Sequence, residues 1–370
     1  MKYENADLTY LLISYLKITD VKRLTKLRQL HDEIGDFFNE LPSLKAEYER
    51  EFGEEFTQKT FELIENKPFF EKELNRYYNE GIVLVDYDDS RYPERLKQIH
   101  NPPVLLYAKG DLSLLESENT IGVVGPRKIT DYGINSTKIF VEAFVKADIT
   151  VVSGIAIGTD GLAHRETLRL GGKTIAVLPC GQNLVYPSQN ADLYRAIAEK
   201  GLRISEYPLD LGVAKYTFAG RNRIINGLSD ALFVPEAAKG SGTAITMSHA
   251  VSEGNTIYAV PGSVFSKESE LTNEYINSGK ARMASDPDVV LKGYGLGLKK
   301  EIVELTDAEM QVVRILKGGE THFDDLAEKS GLSASELLVA ISAMECQGVI
   351  NSNGNYYILN KNKKYKGKTK

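Results

Sequence analysis

The spacing of apolar positions changes twice along the chain. Up to about residue 75 they recur every three or four residues, through "LTYLLISYL", "VKRLTKLRQLHDEIGDFF" and "SLKAEYEREFGEEFTQKTFELIEN". That period aligns them on one face of successive helices, so residues 1–75 are expected to form a helical, SAM-like module. From Gly81 the pattern shortens, and "IVLVD" and "PPVLLYAKGD" read as strands bounded by turn residues. A regular alternation follows. The apolar runs "TIGVVG", "ITVVSG", "KTIAVLPCG", "LRISEYP", "ALFVPEA" and "TIYAVPG" lead into glycine or proline, and amphipathic stretches such as "YGINSTKIFVEAFVKA" and "ADLYRAIAEKG" lie between them. Short, wholly apolar strands separated by helices specify a parallel sheet covered on both faces. The fold class expected is α/β: a Rossmann-like doubly wound parallel sheet, running from Thr120 to about Leu291 inside a domain of residues 76–297, with an N-terminal helical module and a C-terminal winged-helix module.

The winged-helix expectation rests on residues 301–360. After the linker "KGYGLGLKK" come three helical patterns, "TDAEMQVVRILKGG", "HFDDLAEKSG" and "SASELLVAISAMECQGVI". The stretch "VINSNGNYYIL" then reads as a hairpin turning at Asn-Gly. Such a module binds DNA or serves as a protein contact, and its second and third helices carry little positive charge. Residues 361–370, "NKNKKYKGKTK" from Asn360 on, are lysine-rich and read as a basic disordered tail.

Composition sharpens this picture in a few places. The 370 residues are 42% hydrophobic and 26% charged, enough for two or three domains with real cores. No apolar run approaches the ~20 residues that span a bilayer, and the start "MKYENADLTY" is unlike a signal peptide. Cys180 and Cys346 are far apart, so a disulfide framework or thiolate metal site is not expected, and a cytoplasmic location fits. The formal charge of -6 argues against nucleic acid only if the basic residues are scattered.

They are not scattered. In a doubly wound sheet ligands bind at the carboxyl ends of the strands, and four loops there are candidates. In "VVGPRKITDYG", Arg127 and Lys128 follow a strand end with a single glycine. This is no G-x-G-x-x-G fingerprint, so neither a dinucleotide nor any other cofactor is expected, but the basic pair can hold a phosphate. In "SGIAIGTDGLAH", the small residues Ser153 and Gly154 let backbone N–H groups approach an anion. There Asp160 is expected to cap a helix, and His164 reads as structural rather than catalytic. The third loop, "KYTFAGRNRIING", presents Lys215, Phe218, Arg221, Asn222 and Arg223. A phenylalanine can stack on a base while arginines clamp phosphates. In "PEAAKGSGTAIT", Gly240, Ser241, Gly242 and Thr243 open a helix whose N–H groups can take an anion, with His249 expected against the sheet.

Taken in order, "VVGPRKITDYG", "VVSGIAIGTDGLAH", "IAVLPCGQNLVYP", "ISEYP", "FAGRNRIINGLSDALFVPEA" and "AVPG" resemble the DNA-processing protein A family (DprA, also called Smf) over roughly Asp86 to Leu291. The resemblance implies a homodimer, formed through the Rossmann-like domain, that binds and protects single-stranded DNA and loads the RecA recombinase during natural transformation. It also implies that Arg127, Ser153, Gly154, Lys215, Phe218, Arg221 and Arg223 form the DNA pocket, with Phe218 near a base. The chain departs from the family at Pro126, where serine or threonine is usual, at Thr159 for isoleucine and at Ala219 for proline.

One enzymatic reading competes. "GSGT" in a Rossmann-like fold is similar to the lysine-decarboxylase-like nucleotide phosphoribohydrolases, whose P-G-G-x-G-T-x-x-E motif ends in a catalytic glutamate. Thr246 stands at that position and cannot act as acid or base near neutral pH. Glu236 and Glu253 are the remaining carboxylates at other spacings, and no catalytic residue is assigned.

Overall fold

The structure is a computed structural model, and it describes residues 5–16, 18, 21–31, 43–296, 301–360 and 363–367. The chain divides into two compact units, Met1–Leu296 and Gly297–Lys370.

Among the described residues the first unit opens with five helices, α1 (Asn5–Tyr15), α2 (Val21–Gln29), α3 (Lys45–Phe52), α4 (Glu54–Glu65) and α5 (Lys67–Asn79). The boundary expected at residue 75 falls inside α5. The reason is packing: Leu11, Leu24, Phe70, Leu74 and Tyr77 belong to one buried cluster with Leu84, Leu105 and Tyr107. The last three sit on or beside β1 (Val83–Asp86) and β2 (Leu105–Gly110). Tyr77 stacks on Tyr107 with ring centroids 5.1 Å apart, and Tyr10 donates to Asp88 at 2.5 Å. The helices are therefore a cover for the sheet's first hairpin, continuous with its core. Of the "KITDVKRL" stretch, Lys17, Thr19 and Asp20 lie outside the described residues.

The remaining strands are β3 (Thr120–Val123), β4 (Thr150–Ser153), β5 (Thr174–Val177), β6 (Leu202–Ser205), β7 (Ala231–Val234), β8 (Thr256–Ala259) and β9 (Arg282–Met283). The nine strands lie in the order β1-β2-β6-β5-β4-β3-β7-β8-β9. From β6 to β9 all neighbours are parallel, whereas β2 runs antiparallel to both β6 and β1. The sheet is thus mixed and mostly parallel. Strands β3 to β7 are buried at every position, as both-faced coverage demands. Cover comes from α6 (Asp131–Lys146), α7 (Thr159–Arg169), α8 (Ala191–Lys200), α9 (Lys215–Gly227), α10 (Gly242–Ser252), α11 (Glu270–Asn277) and α12 (Pro287–Gly293). Phe140 and Phe144 of α6, for example, pack on Phe233 of β7 at 4.5 and 5.5 Å between centroids.

The second unit holds α13 (Asp307–Leu316), α14 (Phe323–Ser330) and α15 (Ala334–Cys346) around Val312, Leu316, Leu326, Leu337 and Ile341. Thr306–Glu309 and Ser333–Glu336 form capping boxes at α13 and α15. The wing has three strands rather than two, β11 (Thr321–His322), β12 (Ile350–Asn353) and β13 (Tyr356–Leu359), all antiparallel. The basic terminal segment also departs from expectation. Lys363–Gly367 forms a strand, β14, parallel to β10 (Glu301–Leu305). Its register sets Glu304 opposite Lys366.

Candidate nucleic-acid interface

Strand order makes the site. From β3 the chain builds outward through β4, β5 and β6, then returns to lay β7 on the other side of β3. The loops after β3 and β7 therefore diverge, and the crevice between them is where doubly wound sheets hold ligands. A cleft of 470 Å³ lies there. Its walls are the Val124–Arg127 turn, Ala156 from the β4–α7 connection, Asp160 from the first turn of α7, and Ser241–Thr243 with Thr246 at the start of α10. Phe218, Arg221, Asn222 and Ile225 complete it from α9.

These α9 residues do not lie in a loop, as their polar sequence had implied. The helix begins at Lys215, where the Thr217 hydroxyl accepts from the Ala214 N–H at 3.0 Å and donates to its carbonyl. Helical spacing directs Phe218, Arg221, Asn222 and Ile225 to the cleft. Arg221 is 5% exposed and forms the floor. Its Nη1 donates to the main-chain oxygens of Gly154 and, at 2.9 Å, Val177, while its Nε donates to Asn222. Gly154 has to be glycine for this: a Cβ there would sit 1.7 Å from Arg221 Nη1.

The electrostatics of the floor are positive but anchored. Burial depresses the Arg221 pKa, Asp160 raises it again, and the nearby charge of Arg127 lowers it. Asp160 is buried, which pushes its carboxyl up, whereas Arg221 and the N–H groups of Ala156 and Gly154 pull it down. The acid thus fills the small-residue loop that had been expected to hold an external anion. It does not cap α7, whose N-cap is Gly158, because it lies already within the first turn.

At the mouth Arg127 is exposed and lies over the Phe218 ring, 5.4 Å from its centroid. The Tyr186 ring meets Phe218 edge-on at 5.6 Å. Opposite stands the N-terminus of α10, where the Ser241 hydroxyl accepts from Ala244 N–H and the positive end of the helix dipole faces the cleft. Asn222 Nδ2 donates to Thr246 Oγ1 at 2.9 Å, joining α9 to α10. A stacking surface, two guanidinium groups and a helix N-terminus thus converge.

Of the residues expected at a site, the cleft gathers Arg127, Phe218, Arg221, Asn222, Ser241, Gly242 and Thr243. Lys128, Lys215 and Gly240 are exposed but do not line it. Ser153 is fully buried and donates to Val123 O at 2.6 Å, and Gly154 serves through its carbonyl. Arg223 faces away and pairs with Glu206. His249 is exposed, not packed on the sheet, because its position on α10 turns outward. His164 is buried, its Nδ1 within 2.7 Å of Thr174 Oγ1, and burial with Arg221 nearby lowers its pKa to about 3. Ile225 and Ala156 were missed as lining residues, because a small or apolar side chain carries no chemical signal of its own, and Thr246, weighed only as a catalytic position, also lines the cleft.

Among the described residues there is no cluster of His, Cys, Asp or Glu that could hold a metal, and no helix is long and apolar enough to cross a membrane. Glu236 is engaged by the N–H and hydroxyl of Thr130, and neither it nor Glu253 lines the cleft.

Comparison with known proteins agrees with this architecture. The family model described as DNA recombination-mediator protein A matches residues 83–295, and the DprA winged helix domain matches 299–354. The DNA processing protein DprA of Bacillus subtilis is 33% identical over 228 residues, which is 62% of this chain and 77% of that protein. The crystal structure of DNA processing protein A from Streptococcus pneumoniae superposes with a TM-score of 0.67 at 30% identity, covering 79% of this chain and 98% of that one. A structure of the Helicobacter pylori protein, solved for its single-stranded DNA binding mode, gives 0.53 at 28% identity, covering 58% and 95%. With its α/β sheet and its winged helix both matched, the chain belongs to the DprA/Smf family of DNA-processing proteins.

Proposed function

We propose that this chain binds single-stranded DNA without sequence preference in the cleft between the β3 and β7 loops. The observation that carries the reading is Arg127 lying over Phe218 above the buried Arg221. Bases have π-faces in common, so an aromatic ring takes any of them, while guanidinium groups and helix N–H groups take the phosphates. Neither element reads a base edge, and the preference for single strands follows because only unpaired bases can reach a ring inside a cleft. The Helicobacter protein's binding mode supports the same ligand class. In the cell the chain would act as a cytoplasmic homodimer that protects incoming strands and promotes RecA loading in natural transformation and recombination.

Fluorescence anisotropy with labelled single-stranded and duplex DNA over a salt series tests this. Single strands should bind more tightly, with a steep negative salt slope that Arg127→Ala makes shallower. Binding to duplex alone would overturn the reading. Release of free base from a nucleotide would instead favour the phosphoribohydrolase alternative, with Asp160 the acid that lines the cleft.

A further inference from the structure

Helix α9 separates two hollows at the carboxyl edge of the sheet. Phe218, Arg221, Asn222 and Ile225 face the cleft already described. Tyr216, Gly220 and Arg223, spaced four and three residues apart, face a second cavity of 590 Å³. Its other walls include the segment from Glu206 to Leu211, which leaves the end of β6, and Tyr15 of α1. That volume suits a small organic group.

The lining narrows the kind of group. Its two carboxylates are already matched. Glu206 pairs with Arg223, and both side chains are nearly closed off, keeping 8% and 13% of their accessible surface. Asp210 accepts two bonds from Arg76, at 2.6 and 3.0 Å, and another from Asn183 at 3.0 Å. With those charges spent inside the protein, the cavity has no cation to seat a phosphate and no free carboxylate to repel one. What it offers is aromatic and apolar surface from Tyr15, Tyr207, Pro208, Leu211 and Tyr216. Tyr207 is a fixed wall: its hydroxyl donates to the Thr217 carbonyl at 3.4 Å, and a Cβ on Gly220 would lie 2.6 Å from that hydroxyl. Tyr216 is the open element, with 64% of its surface exposed at the rim. A fixed ring and a free ring on one uncharged cavity make a place for a flat group, and every nucleobase has a π-face to offer them.

Position connects this cavity to the first. Residues two apart on a helix point about 200° apart around its axis, so Phe218 and Tyr216 serve opposite sides of the same first turn. Lys215, exposed, stands beside them at the start of the helix. A strand that leaves Phe218 and crosses the head of α9 meets a cation for its phosphate and then a second aromatic site. We propose that the second cavity is a base-unselective subsite for a neighbouring nucleotide of the same strand. Its base lies against Tyr207 and Tyr216, and the intervening phosphate passes Lys215. The subsite rests on the reading of the first cleft as a single-strand site, and it takes its contacts from the rings, with the Glu206–Arg223 pair only closing the wall.

Anisotropy competition on the full chain separates the two sites by strand length. A dinucleotide fills the first cleft alone, whereas oligonucleotides of about 12 residues span both. Tyr216→Ala, a change at an exposed ring, should lower affinity for the long strands about tenfold, for oligo-dA as for oligo-dT, and leave the dinucleotide unmoved. Tyr216→Phe should bind as the wild type does, because the ring and not the hydroxyl makes the contact. Arg127→Ala should weaken binding at every length. If Arg127→Ala changes nothing at any length, the reading of the first cleft fails and the subsite with it. If Arg127→Ala weakens binding while Tyr216→Ala matches the wild type throughout, or loses the same factor at every length, the subsite alone is overturned.

Discussion

The guanidinium of Arg127 lies over the ring of Phe218, 5.4 Å from its centroid, at the mouth of a cleft floored by a second arginine. The pair is exposed on one side, so its mutual attraction is small, about 0.5–1 kcal/mol. On the proposed reading, its importance is to hold a cation and an aromatic face in one plane of approach for a nucleotide.

Substitutions there should therefore act on binding and spare stability. Arg127→Ala is expected to weaken single-strand binding uniformly across sequences and to reduce the salt slope by about one. Arg127→Lys keeps the charge but loses the planar stack, and should fall between the two. Phe218→Ala should cost ~1–3 kcal/mol of affinity. Anisotropy titrations at several salt concentrations measure these changes, and thermal melts check that the fold persists.

Arg221 should behave differently. Arg221→Ala leaves the carbonyls of Gly154 and Val177 without their donor, at about 1–3 kcal/mol for each orphaned group. A urea titration should show lower stability together with lost binding. Gly154→Ala reaches the same end from the opposite side, because the new Cβ would take the space of Arg221 Nη1. If Gly154→Ala bound DNA normally, Arg221 would not be fixed in the way described.

Arg223 separates the two arginines of "GRNR". Arg223→Ala strands Glu206 in a largely buried position, and breaking a buried pair costs about 3–5 kcal/mol. Chemical denaturation should show that loss, while strand affinity of the folded protein changes little, since Arg223 does not line the first cleft.

His164 makes stability depend on pH. Its folded pKa is lowered to about 3, against 6.5 in the unfolded chain. Above pH 6.5 it is neutral in both states and contributes no pH dependence. Below that value the unfolded chain takes up a proton that the folded chain refuses, so stability falls as pH falls, by about 1.4 kcal/mol per unit. Between pH 7 and 5 the wild-type chain should lose about 2 kcal/mol more than a His164→Asn variant in paired urea titrations.

How much of this the sequence disclosed varies with the kind of signal. The strands were legible because "TIGVV", "ITVVS" and "ALFV" are short runs free of charge and rich in β-branched or apolar residues, as strands buried on both faces are. Arg127, Phe218 and the Ser241 loop were legible because strand-end loops are few and basic or glycine-rich ones fewer. Helix α9 was hidden by its composition: its first nine residues, Lys215 to Arg223, include a glycine and two arginines, and Thr217 and Arg221 are buried where apolar residues would mark a face. The opposing roles of Arg221 and Arg223 were hidden with it, since a two-residue spacing means one thing in a loop and another on a helix. Asp160 escaped because its partners are main-chain N–H groups, which no pattern of side chains reports. The terminal strand Lys363–Gly367 was masked by lysine, a poor strand former, and by the distance in sequence to its partner strand β10.

The two faces of α9, one toward the cleft and one toward Glu206, also constrain how the chain can vary in length. One residue inserted between Phe218 and Arg221 would rotate everything after it by about 100° about the helix axis. Arg221, Asn222 and Ile225 would leave the cleft and Arg223 would leave Glu206 in a single step, with no compensating substitution available at one site. Insertions and deletions should therefore be tolerated before Lys215, in the exposed connection around Gly212 and Val213, and rejected within the helix. A scan of single-residue insertions across residues 210–227, scored for soluble folded protein and for strand binding, should show that boundary as a sharp edge at the first turn of α9.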